Sequence, residues 1–350
     1  MPRLLQALAG APQGGAEKHF LRLCLALKRA GVEQRVVMRP HAKSVETLRA
    51  GGIEPVTAPF GGLLDRQTGR ILRREIKDFR PDLALTYMNR ASAALPGGDF
   101  VHLGRLGGYY SMKYYKNCDH LVCVTPDVKA HCVKHGFAED RVHVITNFVE
   151  DVSGAPPQDR AALDTPADAP LIFALGRLHE NKAFDILLQA VAAVPGAYLW
   201  LAGEGPLRGK LENLAARLGI AERVRFLGWQ DDASPYFAAA DLYVVPSRHE
   251  PLGSVVLDGW MQGLPMVAAA SQGPSWLIEN EENGLLVPVD DAAAMAAAVA
   301  RLIEDPQTAE RLAQSGRKTF EEGYTEPVAV RRYLELFESL LGEPSAAAVS

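Results

Sequence analysis

The sequence predicts an α/β protein of two domains, each built on an open parallel sheet. Three observations carry this expectation. Short apolar runs of strand type alternate with stretches of helical apolar spacing, the pattern of strands joined by crossover helices. The alternation breaks over 152–170, where Pro, Ala, Asp and Gln replace apolar periodicity, and a second series begins at Leu171. Glycine-bearing loops follow several strands, where parallel sheets bind their ligands.

Arg3–Leu8 reads as a strand, followed by the loop Gly10–Gly15. Glu17–Arg29 has helical spacing through Phe20, Leu23, Cys24 and Leu27, closed by Gly31. Further strands are expected at Gln34–Met38, Asp82–Tyr87, Phe100–Leu103, His120–Val124 and Val142–Ile145, with a helix opened by Pro126. The stretch over 152–170 reads as linker or peripheral loop. The second series places strands at Leu171–Leu175, Tyr198–Ala202, Val224–Leu227, Leu242–Val245, Met266–Ala268 and Gly284–Val287, with helices between them. A last helix, Val328–Leu341, precedes a tail over 343–350 expected to be disordered. The expected domains are 1–150 and 151–324, two sheets facing each other across a cleft.

A length of 350 residues accommodates two ordinary domains. With 48% hydrophobic and 23% charged residues, the composition is globular. No stretch approaches the roughly 18 apolar residues of a spanning helix. The short apolar start is cut at Gly10-Ala11-Pro12, which argues against a secretory signal. Four cysteines without a C-x-x-C pair (Cys24, Cys118, Cys123 and Cys132) suit idle thiols in a reducing cytoplasm.

Charge is divided. Residues 1–150 hold 22 Lys and Arg against 14 Asp and Glu, a net +8; the remainder holds 15 against 28, a net −13. The first half therefore suits an anionic partner or a simple solvated surface.

The chemistry-bearing residues follow the strands. Gly176-Arg177-Leu178-His179-Glu180-Asn181-Lys182 comes directly after Leu171–Leu175. Its Arg fork and Lys point charge can close on a diphosphate and stabilise the charge that builds as a sugar departs. Gly203-Glu204-Gly205-Pro206 permits a tight turn with close backbone approach. Phe226-Leu227-Gly228-Trp229 ends a strand, and Leu227 can offer backbone groups and an apolar wall to a base. Pro246-Ser247-Arg248-His249-Glu250-Pro251-Leu252-Gly253-Ser254 leads into Asp258. Pro251 fixes that loop and a helix starts near Gly253–Ser254, whose outward amides suit phosphate. Glu250 can accept from sugar hydroxyls and Asp258 from a ribose diol. Gly14-Gly15-Ala16-Glu17 repeats the glycine-at-helix-start theme in the first half. The segment from Pro246 to Asp258 is the strongest of these signals; the others are weak alone, since loop charges, strand ends and Gly turns are common.

Their combined order resembles glycosyltransferase family 4, densely from Leu171 to Pro288 and more loosely over the first half. The resemblance implies the GT-B fold, with the C-terminal helix (325–342) crossing back to the first domain. It also implies transfer with retention from a nucleotide sugar. Arg177, Lys182 and Glu250 would form the catalytic set. Gly15, Gly203, Leu227, Pro251, Leu252, Gly253, Ser254 and Asp258 would hold the donor. Glu17, Arg105, Tyr109 and Lys113 are the acceptor-side candidates.

Three places depart from the family pattern. Asp258 stands where the second acid of the E-x7-E motif is usually Glu, and Gly107 or Gly108 where a first-domain His is common. His102 is near in sequence but falls inside the expected strand and reads as a core residue. Gln272-Gly273-Pro274-Ser275-Trp276 replaces a usual Gly-Gly turn and acid. No nucleophile for a double displacement stands out, and for a retaining enzyme of this fold the resemblance implies front-face displacement.

No metal-ligand spacing is present, and Asp231-Asp232 and Asp290-Asp291 read as helix-start acids. A metal-independent enzyme using a UDP-sugar or GDP-sugar is expected. The acceptor would be a lipopolysaccharide-type or other lipid-linked saccharide. The basic first half with Tyr109, Tyr110, Tyr114 and Tyr115 suits a peripheral site on the inner face of the cytoplasmic membrane, and nucleic acid is not expected. The alternatives are a soluble GT-B enzyme acting on a small sugar, or a silent GT-B-like binding protein.

Overall fold

β1 (Arg3–Leu8) is buried at five successive positions, Leu4 to Leu8, as a strand covered on both faces requires. In the computed structural model it lies inside a seven-stranded parallel sheet; the structure describes residues 2–12, 14–62 and 65–342. The expected disorder of the tail over 343–350 falls outside the described residues.

The chain forms two compact units, Met1–Phe148 with Glu326–Ser350, and Val149–Thr325. The first unit continues with α1 (Gly15–Arg29), β2 (Glu33–Met38), α2 (Ala42–Ala50), β3 (Val56–Thr57), α3 (Arg66–Phe79), β4 (Leu83–Tyr87) and α4 (Met88–Ala94). It then adds β5 (Val101–Leu106), β6 (His120–Cys123), α5 (Pro126–Lys134) and β7 (Val142–Val144). Its sheet order is β3-β2-β1-β4-β5-β6-β7, so the direction of winding reverses between β1 and β4.

The second unit holds β8 (Leu171–Leu175), α6 (Phe184–Ala192), β9 (Tyr198–Ala202), α7 (Arg208–Arg217), β10 (Val224–Gly228), α8 (Ser234–Ala239) and β11 (Leu242–Val245). It closes with α9 (Ser254–Met261), β12 (Met266–Ala269), α10 (Gln272–Leu277), β13 (Leu285–Val287), α11 (Ala292–Glu304) and α12 (Pro306–Gly323). The order β10-β9-β8-β11-β12-β13 reverses between β8 and β11. Ligands of such sheets bind beyond the strand ends at the reversal.

Local chemistry explains the element ends. Asp65 caps α3 by accepting from the amides of Gln67 and Thr68, both at 3.0 Å, and Thr125 caps α5 just before Pro126. Asp291 caps α11 and Asp305 caps α12 in the same way. The last helix, α13 (Glu326–Leu341), belongs to the first unit. It buries Tyr333 and Phe337 among Leu23, Leu27 and Phe148, and Glu326 pairs with Arg29 at 2.5 Å.

The stretch over 152–170 is a strap on the second unit. Arg160 donates to the Ala239 carbonyl at 2.6 Å and pairs with Asp241 at 2.8 Å. Thr165 accepts from the indole of Trp200 at 2.9 Å. Little apolar periodicity is needed for a segment held by hydrogen bonds.

Candidate active site

The loops that follow β8 and β11 meet because those strands are neighbours in the sheet. The ammonium of Lys182 forms an ion pair with the Glu250 carboxylate, both side chains being largely buried. Further ties lock the two loops. His249 donates its amide to the Asn181 carbonyl at 3.2 Å. Arg248 donates to the Glu180 carbonyl at 2.8 Å, to both Asp185 oxygens at 3.0 and 2.7 Å, and to Asp290 at 2.5 Å. Ala183, beside Lys182, has a positive φ of 51°, a strained backbone that the surrounding bonds hold. Arg177 is exposed, and no described residue bonds to its guanidinium.

Gly253 begins α9 with φ 76°, a conformation that favours glycine. Gly273 of α10 packs its backbone onto this loop and donates to the Glu250 carbonyl at 2.7 Å; a side chain there would collide with Gly253 and Leu252. Ser254 opens α9, and Asp258 lies four residues on, partly exposed. Pro251 and Leu252 are half-buried in the same loop. Burial, followed by the charges of Asp258 and Glu250, pushes the Tyr243 hydroxyl well above its ordinary range. Both carboxylates thus act on one buried group of β11.

Gly203 has φ 137°, and a Cβ on it would strike the Gly176 carbonyl oxygen. Its amide donates to the Gly228 carbonyl at 2.8 Å, so the loops after β8, β9 and β10 are laced together. Leu227 is half-buried; its carbonyl accepts from the Gln230 side chain at 2.7 Å, and the neighbouring Trp229 is 53% exposed. The structure therefore brings Arg177, Lys182, Gly203, Leu227, Glu250, Pro251, Leu252, Gly253, Ser254 and Asp258 onto the strand ends of one sheet, within the second unit.

In the first unit, Glu17 accepts from the Ala11 amide at 2.7 Å. Side chains at Gly10 or Gly14 would run into this carboxylate, while Gly15 faces open space. Tyr109 donates to Asp127 and packs edge-on against His131. Lys113 lies over the Tyr114 ring, 4.9 Å from its centre.

Arg105 requires a correction. Strand β5 runs three residues beyond its expected end at Leu103, so Arg105 points from a strand and is only 2% exposed. Its guanidinium donates to the Tyr333 hydroxyl at 3.1 Å and to Asn147, and it stacks on Tyr87. It anchors α13 and is not placed to meet an acceptor. His102 is a core residue as expected, bonded to Thr86 at 2.8 Å and to the Asn117 carbonyl at 2.9 Å. Of the helix-start acids, Asp232 and Asp291 fill that role, whereas Asp290 pairs with Arg248 and Asp231 accepts from Trp229.

Sequence reasoning missed Arg39, Asn89 and Arg90, which line a cavity in the first unit. The available signal was position: Arg39 directly follows β2, and Asn89 and Arg90 follow β4. Among the described residues no group of three or more His, Cys, Asp or Glu is placed to hold a metal, and no helix is long and apolar enough to cross a membrane.

Comparison with known proteins decides the family. The model described as Glycosyltransferase Family 4 matches residues 13–152, and that described as Glycosyl transferases group 1 matches 169–305. The lipopolysaccharide core biosynthesis glycosyltransferase LpsE of Rhizobium meliloti (strain 1021) is 39% identical over 93% of this chain and 96% of its own. The chain belongs to glycosyltransferase family 4. This transferase also shares its fold with solved structures. A glycosyltransferase from Rickettsia africae ESF-5 matches with a TM-score of 0.87 at 18% identity, over 98% of this chain and 99% of that one. Anabaena Alr3699/HepE in complex with UDP and glucose matches with 0.82 at 20% identity, over 97% and 100%. The transferase thus has the GT-B fold, with two Rossmann-like parallel-sheet units.

Proposed function

We propose that the enzyme moves a sugar, with retention, from a UDP-sugar to a hydroxyl of a lipid-linked saccharide of the lipopolysaccharide type. The observation that carries the donor half is the Lys182–Glu250 pair at the strand reversal of the second unit, beside the start of α9. Arg177 and Lys182 would take the diphosphate, with the amides after Gly253 and at Ser254 adding donors at the positive end of the helix. Glu250 would accept from the donor sugar and hold the Lys182 ammonium in place. Asp258, one methylene shorter than Glu, would accept from the ribose. Gly203 and Leu227 would line the path of the nucleotide, and Gly15 would let the donor approach the backbone of the first unit.

The leaving diphosphate gains charge as the glycosidic bond breaks. Fixed cations at that point lower the barrier more than they stabilise the bound donor. The departing phosphate oxygen then takes the proton of the acceptor hydroxyl on the same face. The protein supplies position and charge, with neither a covalent intermediate nor a metal ion.

UDP is favoured over GDP by the likeness to HepE, which was solved with UDP and glucose. The acceptor class is supported by the likeness to LpsE and by the basic first half. Helix α3 exposes Arg66, Arg70, Arg73, Arg74 and Lys77 with Asp78 the one exposed acid along it. That surface suits anionic headgroups, consistent with a peripheral enzyme on the inner face of the cytoplasmic membrane. Tyr109 and Lys113 remain acceptor-side candidates, as does Glu17.

The test is transfer from UDP-glucose to deacylated core saccharide, read by NMR in the presence of EDTA. An α-linked product at an undiminished rate is expected. A β-linked product or loss of activity in EDTA would contradict the proposal.

A further inference from the structure

The first unit contains a cavity of about 840 Å³ where its strand order reverses, in the size range of small-molecule sites. Glu17, Arg39, Phe60, Asn89, Arg90 and Tyr110 are among its walls. Arg39 donates through Nη2 to the Phe60 carbonyl at 2.6 Å and through Nε to the Pro59 carbonyl at 3.1 Å. Arg90 donates to the same Phe60 oxygen at 3.2 Å.

Two guanidiniums are thus gathered on one carbonyl, which neutralises neither. Among the described residues neither forms an ion pair. The two carboxylates of the wall are engaged with backbone instead. Glu17 accepts from Ala11, and Asp65 accepts from the amides of Gly61 at 2.6 Å and of Gln67 and Thr68. Burial, and secondarily the charge of Arg90, lower the Arg39 pKa.

Two further observations point to a ligand. The Asn89 Oδ1 is buried without a hydrogen-bond partner, an acceptor available to a hydroxyl. Phe60 and Met88, both non-glycine, have positive φ values of 42° and 60° in the cavity wall. Strain of this kind gathers where a site is shaped. Tyr110, half-buried, offers an aromatic flank.

We infer that this cavity takes a saccharide unit bearing an anionic substituent, a carboxylate or a phosphate, whose charge is shared by Arg39 and Arg90. Its hydroxyls meet Asn89 and Glu17. The inference rests on the reading of the first unit as the acceptor side, and it narrows the acceptor to an acidic saccharide.

The experiment measures binding of glucuronate, glucose 6-phosphate and glucose to wild type, Arg90→Gln and Arg39→Lys by calorimetry, with UDP affinity determined on the same samples. At least one anionic sugar should bind about tenfold or more tighter than glucose, corresponding to about 1.4 kcal/mol. Glucuronate leading identifies a carboxylate, and glucose 6-phosphate a phosphate. Arg90→Gln should abolish the preference and Arg39→Lys weaken it, with UDP affinity unchanged. Equal binding of charged and neutral sugars, no sugar binding, or a preference that survives both substitutions would overturn the inference. Failure of UDP to bind, with the anionic preference intact, would instead remove the donor reading.

Discussion

Lys182 and Glu250 lie 68 residues apart in sequence and form an ion pair at the meeting of two strand-end loops. On the proposed function, the pair would keep a cation where a leaving diphosphate needs one, in a partly buried setting where its charge is screened less than at the surface. Lys182→Ala should lower kcat by about 100-fold or more, the scale of losing one preorganised charge contact, with a smaller change in donor KM. Steady-state kinetics with UDP-glucose checks this.

Asp258 predicts the opposite split. An acid that binds ribose in both ground and transition states contributes uniform binding. Asp258→Ala should therefore raise the donor KM more than it lowers kcat. An unchanged donor KM would remove the ribose role.

Arg105 predicts a stability effect. Its buried guanidinium joins β5 to Tyr333 of α13 and to Asn147. Arg105→Ala leaves a cavity and deprives buried polar groups of partners, and should cost about 3 kcal/mol or more. Tyr333→Phe, which removes one hydroxyl, should cost about 1–2 kcal/mol. Urea titration monitored by fluorescence would compare the two.

Acid should destabilise the first unit through His19. Burial, then the charges of Arg105 and Arg22, hold its pKa well below the ordinary value, and neither ring nitrogen meets a partner. The unfolded chain binds a proton near pH 6.5 that the folded state refuses. Stability is therefore level above that pH and falls as pH drops below it, by at most about 1.4 kcal/mol per unit for one such histidine. His102, also buried with a lowered pKa, adds in the same direction. Melting temperatures from pH 8 to 5 should fall less steeply in His19→Phe than in wild type.

The basic face of α3 predicts salt-sensitive binding to vesicles containing anionic lipid. Reversing Arg70 and Arg73 to Glu should weaken cosedimentation with phosphatidylglycerol vesicles at least about tenfold at low salt. Unaltered binding would remove the membrane role of this helix.

Much of the fold was legible because its strands are short buried runs between glycine-bearing loops. Arg3–Leu8, Leu171–Leu175, Tyr198–Ala202 and Leu242–Val245 have the expected bounds. β3 has only two residues, too few to carry a period. β5 overran its expected end because Gly104 and Arg105 interrupt the apolar pattern while remaining in the strand, and Arg105 is covered by a helix more than 220 residues away. The glycine loops were readable from sequence because backbone approach needs glycine at Gly203 and Gly253. The Arg248 network and the Arg39–Arg90 cavity were not, since each depends on loops brought together only by strand order.

Calorimetric titration of UDP into wild type, Lys182→Ala and Glu250→Gln tests the central claim most directly, that the segment from Arg177 to Asp258 holds the donor nucleotide. Binding to wild type is expected, with an affinity loss of about tenfold or more in Lys182→Ala and a small change in Glu250→Gln, whose role is toward the sugar. Absence of UDP and GDP binding to wild type, or equal affinity for UDP in wild type and Lys182→Ala, would contradict it.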